Sequence, residues 1–337
     1  MVTVHDVAAR SGVSIATVSR TLREPHRVSD DTRVRVLAAV DELGYRPNRA
    51  ASSLRRGRTG VIALVVPDIE NPYFASMTKG AQVMCRARGY GLVVVDTTER
   101  ADIEDEEVRA LRSQIDGLIL ASSRLTDDRL AEVVASTPCV LINRNLAGPA
   151  RNTPTVTIDE DAASRAAVDH LYDLGHRRVT YVGGPLRSWS QARRARGIAA
   201  AAAAHPGLEI VQLEDCVPTS DGGRAVAAEV LATGATAVIA YNDFVALGLH
   251  AQWTEAGVRV PDDISLVGFD DTYVTGLVTP SLTSVGADLR ELGDAAVELL
   301  LDRIDGAETS GESIHRSLHP RLAVRASTAP PASPTAG

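Results

Sequence analysis

Two short helices joined by a very brief turn are encoded at the start of the chain, within residues 3–22. Thr3 can cap the first helix, and Asp6 at the third helical position can complete a capping box. Gly12 permits a tight turn, and Ser14 can cap the second helix. The sequence therefore predicts a helix-turn-helix, a motif that places its second helix in the DNA major groove and is typical of a regulator.

A third helix and a linker follow this motif. Ser29 can cap the helix and Gly44 can end it. Pro47 then marks a boundary, and residues 48–56 form a hinge candidate rich in Ala, Ser and Arg that ends at Gly57. The apolar residues that recur at helical spacing in the third helix, and so complete a compact three-helix headpiece, are Val34, Leu37, Val40 and Leu43.

Charge is distributed unevenly along the chain. The 337 residues carry a net charge of −8, which alone would argue against a nucleic-acid partner. Residues 1–58, however, contain eleven arginines and six acidic residues, so this segment carries +5 and the remainder carries −13. A basic headpiece can displace counterions from phosphates, whereas the acidic body should face away from DNA.

From Val61 onward, apolar runs alternate with helical stretches, which is typical of βα units that build parallel sheets. About nine such strands are more than one open sheet of usual size holds, so the sequence predicts two lobes with a break near residue 158 and a ligand cleft between them. The strands are expected near 61–66, 91–95, 117–121, 139–142, 155–158, 178–182, 209–213, 236–240 and 264–268. The helices are expected to begin near Pro72, Ile103, Thr126, Asp159, Ser188, Ser220, Asp243 and Asp288.

Composition and missing motifs narrow the class of protein. No run of eighteen apolar residues occurs. The chain opens on a capped helix, whereas a signal peptide would have an apolar segment there, so a cytoplasmic protein is expected. Cys85, Cys139 and Cys216 lack metal-type spacing, so we expect inert thiols and neither metal nor cofactor. No dinucleotide, P-loop or nucleophile-elbow motif is found, which argues against an enzyme. A sugar-binding transport protein is the alternative, against which the basic headpiece argues.

The second helix carries the side chains expected to read DNA. Val18 and Leu22 share one face that should pack inward, while Arg20 shares another face with Ala16. Arg20 can bond guanine O6 and N7 in bidentate fashion, whereas Ile15 can offer a thymine methyl only apolar contact. The alternatives are a solvated Arg20 and an Ile15 that belongs to the headpiece core. The DNA-contact candidates on this helix are Ile15, Ala16, Thr17, Ser19 and Arg20.

The hinge candidate offers a second mode of contact with DNA. Asn48, Arg49 and Arg55 can contact phosphates and the minor groove. Leu54 is the single large apolar side chain in a segment that is otherwise small or basic. Inserted between base steps, Leu54 would act as a wedge that kinks the duplex. The alternative is that Leu54 packs the linker on the body.

Together these residues resemble the lactose-repressor (LacI) family of bacterial transcription regulators, and the resemblance covers nearly the whole chain. It implies a homodimer whose headpieces bind a palindromic operator, with paired hinge helices in the central minor groove and Leu54 as the intercalating residue. It also implies a periplasmic-binding-protein-like body of two lobes, linked by three crossovers and controlled by a small effector, with repression as the default. The matching segments are 3–8, 12–14, 17–20, 28–33, 44–48, 174–176, 242–243, 268–271 and 280–285.

The effector is expected at the carboxyl ends of the strands, where ligands sit in doubly wound sheets. Tyr73 or Phe74 could stack on a sugar ring or a nucleobase, and the resemblance favours Phe74. The resemblance also assigns Arg194, Asn242 and Asp270 to the ligand, with helix-cap chemistry as the alternative for Asn242. The full set of candidates is Asp68, Tyr73, Phe74, Asn143, Trp189, Ser190, Arg194, Asn242 and Asp270. Such a mixture suits a polyhydroxylated ligand, so a sugar is expected, with a nucleobase or nucleoside as the alternative.

The predicted fold class is therefore α/β. A helix-turn-helix headpiece (1–46) and a hinge helix with its linker (47–58) precede a two-lobed periplasmic-binding-protein-like body with doubly wound parallel sheets (59–326). The first lobe is expected to comprise about 59–158 plus 287–313, and the second about 159–286 plus 314–326. Residues 327–337 are rich in Pro and Ala, cannot bury enough apolar surface to become ordered, and are predicted to form a disordered tail.

Overall fold

A computed structural model of the chain describes residues 2–45, 58–306 and 314–332. The chain divides into two compact units, Met1–Gly60 and Val61–Gly337. The hinge candidates Asn48, Arg49, Leu54 and Arg55 lie outside the described residues. Within the described ranges, no helix combines the length and the apolar character that crossing a bilayer requires.

Over residues 2–45, the first unit contains three helices with the caps that the sequence predicts. Helix α1 spans Val4–Ser11, α2 spans Ile15–Arg23 and α3 spans Asp30–Glu42, with a 3-10 turn at Pro25–Arg27. The backbone N–H and hydroxyl of Thr3 both donate to Asp6 at 2.8 Å. Gly12 ends α1 with φ +66°, a left-handed conformation that favours glycine. The Ser14 hydroxyl accepts from the backbone N–H of Thr17, so the helix-turn-helix is confirmed.

The headpiece core corrects the predicted inward face of α3. Val18 of α2 is fully buried and Leu22 packs against the same cluster, as expected. On α3, however, Val34 and Leu37 are 63% and 47% exposed. The helical period places residues 36, 39, 40 and 43 on one face, and this face meets the core. Val34 and Leu37 therefore lie on the outer surface of the headpiece.

In the second unit, residues 61–306 and 314–332 form two six-stranded sheets, which confirms the predicted doubly wound α/β body. The sheet orders are β11-β5-β4-β3-β1-β2 and β12-β10-β9-β8-β6-β7, with all pairs parallel except β10 and β12. The strands are β1 Val61–Val66, β2 Gly91–Asp96, β3 Gly117–Ala121, β4 Cys139–Ile142, β5 Thr155–Ile158, β6 Arg178–Val182, β7 Glu209–Leu213, β8 Ala237–Ala240, β9 Ser265–Phe269, β10 Thr283–Gly286, β11 His315–Leu318 and β12 Arg321–Ala323. The helices are α4 Pro72–Ala87, α5 Ala101–Leu111, α6 Asp127–Ser136, α7 Glu160–Asp173, α8 Trp189–Ala203, α9 Ser220–Ala232, α10 Asp243–Glu255 and α11 Leu289–Ile304, with 3-10 turns at Gly148–Asn152 and Tyr273–Gly276.

The chain passes between the two sheets three times, as the family resemblance implies. The passages follow β5, follow β10 and lie between β11 and β12. Strand β11 pairs with β5 in the first sheet. The assignment of all of residues 314–326 to the second lobe is therefore wrong for β11, and the last passage falls at residues 319–320.

Residues 327–332 correct the prediction of a disordered tail. The Ser327 hydroxyl donates to the carbonyl of Leu266 at 2.6 Å and accepts from the backbone N–H of Thr283 at 2.8 Å. Ring nitrogen Nε2 of the buried His176 donates to the carbonyl of Ala329 at 2.9 Å. The tail is ordered here because it hydrogen-bonds along the second sheet, a source of stability that a count of apolar residues does not reveal.

Helices α4 and α11 pack against each other through two glycines. A Cβ atom at Gly80 would lie 2.1 Å from the carbonyl oxygen of Arg290, and one at Gly293 would lie 2.1 Å from that of Met77. Only a hydrogen at these positions lets the two backbones approach so closely. This packing holds α4 in place, and the first turn of α4 carries the aromatic residues Tyr73 and Phe74.

Candidate ligand-binding site and nucleic-acid interface

A cavity lies at the carboxyl ends of strands from both sheets. Its space is about 370 Å³, counting the part that is open to solvent. The first lobe contributes Asn71, Tyr73, Phe74, Glu99, Ser122, Arg124 and Asn143. The second lobe contributes Ser190, Arg194, Pro218, Tyr241, Asn242 and Asp270.

Arg194 is the centre of the hydrogen-bond network on the second lobe. Its Nε and Nη2 donate to the two carboxylate oxygens of Glu160 at 2.8 and 3.3 Å. Nη1 donates to the carbonyl of Tyr241 at 2.5 Å, and Nη2 also donates to Asp270 at 3.3 Å. The guanidinium is buried and stands 4.5 Å from the centroid of the Phe269 ring. Each of these contacts restrains its position at the cavity wall.

Burial dominates the electrostatics of the second-lobe wall. Burial would lower the pKa of Arg194, but Glu160 and Asp270 more than offset this, so its pKa lies well above the ordinary value and the group stays charged. Burial raises the pKa of Asp270 well above its usual range, although Arg194 opposes the shift. Behind the wall, burial raises the pKa of Asp243 to about 7, against hydrogen bonds from Ser284 and Thr272.

The first turn of α4 forms the aromatic part of the wall. Asn71 caps the helix by accepting from the backbone N–H of Tyr73 at 3.0 Å. The rings of Tyr73 and Phe74 meet edge to face, with centroids 5.0 Å apart. Asn143 donates from Nδ2 to the hydroxyl oxygen of Tyr73 at 2.5 Å. The buried Oδ1 of Asn143 has no hydrogen-bond partner among the described residues, so it can accept from a ligand in the cavity.

Glu99 and Arg124 form an ion pair on the first-lobe wall. Arg124 donates from Nε and Nη2 to the two carboxylate oxygens of Glu99 at 2.6 and 3.1 Å, and from Nη1 to the carbonyl of Ser122 at 2.7 Å. The side chain of Arg124 is 6% exposed, while that of Glu99 is 25% exposed. The carboxylate therefore retains contact with the cavity.

Several wall residues adopt a left-handed backbone that is unusual for residues other than glycine. Their φ values are 60° at Glu99, 48° at Ser122, 51° at Asn143 and 103° at Asp270. Each of these residues follows the end of a strand. Such conformations cost energy, which the surrounding structure must supply. They are found most often at functional sites.

Seven of the nine sequence-predicted ligand residues line the cavity. Asp68 lies outside it and accepts from the backbone N–H of Glu70, which is turn chemistry. Trp189 also lies outside it and stacks with Arg193, whose guanidinium is 5.0 Å from the ring centroid. Asn242 lines the cavity and also caps α10 by accepting from the backbone N–H of Val245 at 2.8 Å.

Six lining residues are absent from the predicted set. They are Asn71, Glu99, Ser122, Arg124, Pro218 and Tyr241. Tyr241 directly follows β8, so the strand-end rule could have found it. Glu99 and Arg124 stand three residues beyond their strands, in loops whose geometry no periodic pattern specifies.

The exposed face of α2 presents the predicted DNA-reading side chains. Ala16 and Arg20 are exposed, Thr17 and Ser19 are half-buried, and Ile15 packs partly against the headpiece core. Among the described residues, no hydrogen bond or ion pair engages the Arg20 side chain. Other headpiece arginines pair with carboxylates: Arg10 with Glu42, Arg27 with Glu24, Arg33 with Asp30 and Arg35 with Asp31.

Comparison with known proteins relates both units to one group of regulators. Residues 3–48 match the bacterial regulatory proteins of the lacI family, and residues 168–328 match a periplasmic binding protein-like domain. The HTH-type transcriptional repressor CytR of Escherichia coli (strain K12) is 32% identical over 338 residues, which cover 97% of this chain and 96% of that protein.

Solved structures share the fold over nearly the whole length. The Lac repressor dimer bound to operator and the anti-inducer ONPF has a TM-score of 0.83 and 28% identity, and the match covers 97% of this chain and 99% of that one. The complex of the transcriptional regulator CelR with cellobiose has a TM-score of 0.71 and 31% identity, and the match covers 97% of this chain and 100% of that one.

Proposed function

This chain belongs to the lacI family of bacterial regulatory proteins, and from that premise we propose that it is a transcriptional repressor whose affinity for operator DNA is set by a small ligand held between its two lobes. The observation that carries the proposal is the shared cavity wall. Because both lobes contribute polar side chains, a ligand that satisfies both sets favours one arrangement of the lobes over others.

The headpiece supports sequence-specific reading of DNA by α2. The exposed Arg20 has no carboxylate partner among the described residues, so its guanidinium can bond a guanine without first breaking an ion pair. We also propose that Leu54 acts as a wedge between base steps of the DNA. The phosphates and the minor groove are contacted by Asn48, Arg49 and Arg55. On that proposal, Arg55→Ala weakens binding to all sequences and flattens the salt dependence, while Leu54→Ala reduces DNA bending.

A sugar is the ligand class that the cavity supports best. A hydroxyl both donates and accepts, and the wall supplies carboxylates, amides and guanidinium groups around an aromatic surface. The related regulator CelR was solved in complex with cellobiose. The edge-to-face pair of Tyr73 and Phe74 favours a second candidate, a nucleobase or nucleoside, because an aromatic ring can stack on a base.

A homodimer is the assembly we propose for operator binding. The related Lac repressor was solved as a dimer on operator. A two-fold dimer presents two headpieces to a palindromic site.

The cavity is proposed to bind its ligand without converting it. The relatives named above are transcriptional regulators. Glu99 and Glu160 each accept two hydrogen bonds from an arginine, so their carboxylate oxygens are already engaged. Turnover of a sugar or nucleoside by the purified protein would contradict this part of the proposal.

Two experiments test the proposed function. Selection of bound fragments from a random DNA pool should return a palindromic sequence, and recovery of no preferred sequence would contradict specific binding. A thermal-shift screen against sugars and nucleosides should raise the melting temperature with at least one of them, because a ligand that binds only the folded state stabilises it.

A further inference from the structure

The charged side chains of the cavity wall are already paired. On the second lobe, Arg194 contacts two carboxylates, those of Glu160 and Asp270. On the first lobe, Arg124 contacts Glu99 through two hydrogen bonds, and its backbone N–H donates to the buried Glu104 at 2.8 Å. Both guanidinium charges are thus compensated before any ligand enters. Among the wall residues that the structure describes, no unpaired positive charge is therefore offered to an anion.

We propose that Glu99 and Arg124 form a specificity-determining subsite for a vicinal diol on an uncharged ligand, and that the same pair excludes phosphorylated compounds. This inference rests on the proposed function, because it presumes that the cavity binds the effector. It adds a first-lobe site to the residues that the sequence assigns to the ligand.

The donors and acceptors of the pair match a diol. A guanidinium carries five N–H groups, and three of the Arg124 N–H groups are directed to Glu99 and Ser122. Two remain by this count, while the carboxylate of Glu99 keeps lone pairs beyond the two that Arg124 uses. Two adjacent hydroxyls can each accept from the guanidinium and donate to the carboxylate. A single hydroxyl offers only half of these hydrogen bonds.

The geometry also explains why a phosphate would be rejected. To use Arg124, a phosphate would have to displace or approach the carboxylate of Glu99, which is held at 2.6 Å. Displacing Glu99 leaves a carboxylate without its partner, and approaching it places like charges together in a partly buried site. Both outcomes oppose anion binding.

Paired probes on the unmodified full-length chain test the inference first. Glucose, ribose and adenosine are compared by thermal shift and calorimetry with glucose 6-phosphate, ribose 5-phosphate, 2-deoxyribose and 2′-deoxyadenosine. We expect at least one diol probe to bind and its phosphorylated or deoxy counterpart to bind at least about 10-fold more weakly, the loss that follows from one charge-assisted hydrogen bond. Equal affinity for a sugar and its phosphate would overturn the inference.

A matched pair of variants tests the assigned residues. Glu99→Gln should weaken the diol probe by about 10- to 100-fold and should narrow the gap between the sugar and its phosphate, because Arg124 loses its compensating charge. Asp102→Asn makes the same chemical change at an exposed ion pair outside the cavity and should alter neither affinity. Cooperative melting of Glu99→Gln shows that the variant folds, and the sugar-to-phosphate ratio responds to charge and not to stability.

The outcomes separate the two claims. If a diol probe binds the unmodified chain and Glu99→Gln binds it equally well, the subsite is wrong while the proposed function stands. If no probe shifts the melting temperature and none changes operator affinity, the proposed function fails and the subsite fails with it.

Discussion

Arg194 shows how a charged side chain can be kept buried in the wall of a cavity. Its guanidinium contacts Glu160, Asp270 and the carbonyl of Tyr241, so few of its hydrogen-bond donors are left unused. Removing one partner from a buried ion pair leaves a charge that cannot reach solvent. The cost of losing Arg194 should therefore exceed the cost of losing any exposed arginine.

Arg194→Met should lower the free energy of unfolding by about 3–5 kcal/mol, because it leaves the buried Glu160 without its partner. Denaturant unfolding of the full-length chain measures this change. Arg196→Met is the control on the same helix, since Arg196 and Asp161 form a pair at 3.3 Å with both side chains more than half exposed. The control should change stability by less than about 1 kcal/mol, and equal losses in both variants would contradict the assigned burial effect.

Arg20→Ala should abolish discrimination at one base pair in each operator half-site, at a cost of about 1–3 kcal/mol. The measurement is operator affinity at fixed salt for a panel of single base-pair changes. Arg33→Ala is the control, because Arg33 is a half-buried headpiece arginine paired with Asp30. If Arg20→Ala weakens binding to every sequence alike, Arg20 contacts the phosphate backbone and not a base.

At the scale of elements, predictions were most accurate where periodicity and caps act together. Nine strands and the helix starts after them lie within about two residues of their expected positions, because continuous apolar runs such as Val61–Val66 require burial on both faces. Strands β10, β11 and β12 were not predicted. Of these, His315–Leu318 of β11 is short, polar and alternately exposed at a sheet edge. On α3, Val40 and Leu43 face the core as predicted whereas Val34 and Leu37 do not, because the helical period is also satisfied by residues 36, 39, 40 and 43.

The site was predictable only in part, for a related physical reason. Strand-end residues such as Asn143 and Asp270 are placed by the sheet itself, so their positions follow once the strands are known. Glu99 and Arg124 meet through two loops that are 25 residues apart in sequence. Their contact depends on left-handed backbone at Glu99 and Ser122, which no alternation of apolar residues encodes.

Gly293→Ala should destabilise the body by about 1–3 kcal/mol, since the new methyl group would force α11 away from α4. A Cβ atom at this position would lie 2.1 Å from the carbonyl oxygen of Met77. Gly276→Ala serves as the control, because nothing lies within 4 Å of the added atom. Thermal or denaturant unfolding distinguishes the two, and equal stability of both variants would show that α4 and α11 tolerate a wider separation.

At the scale of the whole molecule, the three passages between the sheets connect ligand binding to the arrangement of the lobes. Gly286 ends β10 at one passage, and a Cβ atom there would lie 2.3 Å from the carbonyl oxygen of Asp270. A residue of the cavity wall is thus in close contact with a segment that joins the lobes. A ligand that binds Asp270 therefore acts where the two lobes are linked.

The most direct test of ligand control measures the linkage in both directions. Operator affinity of the full-length chain is determined at fixed salt with and without the ligand found by screening, and ligand affinity is determined with and without operator. We predict that each changes the affinity of the other by the same factor, about 5- to 150-fold. A ligand that binds the cavity with the same affinity whether or not operator is present would contradict the account.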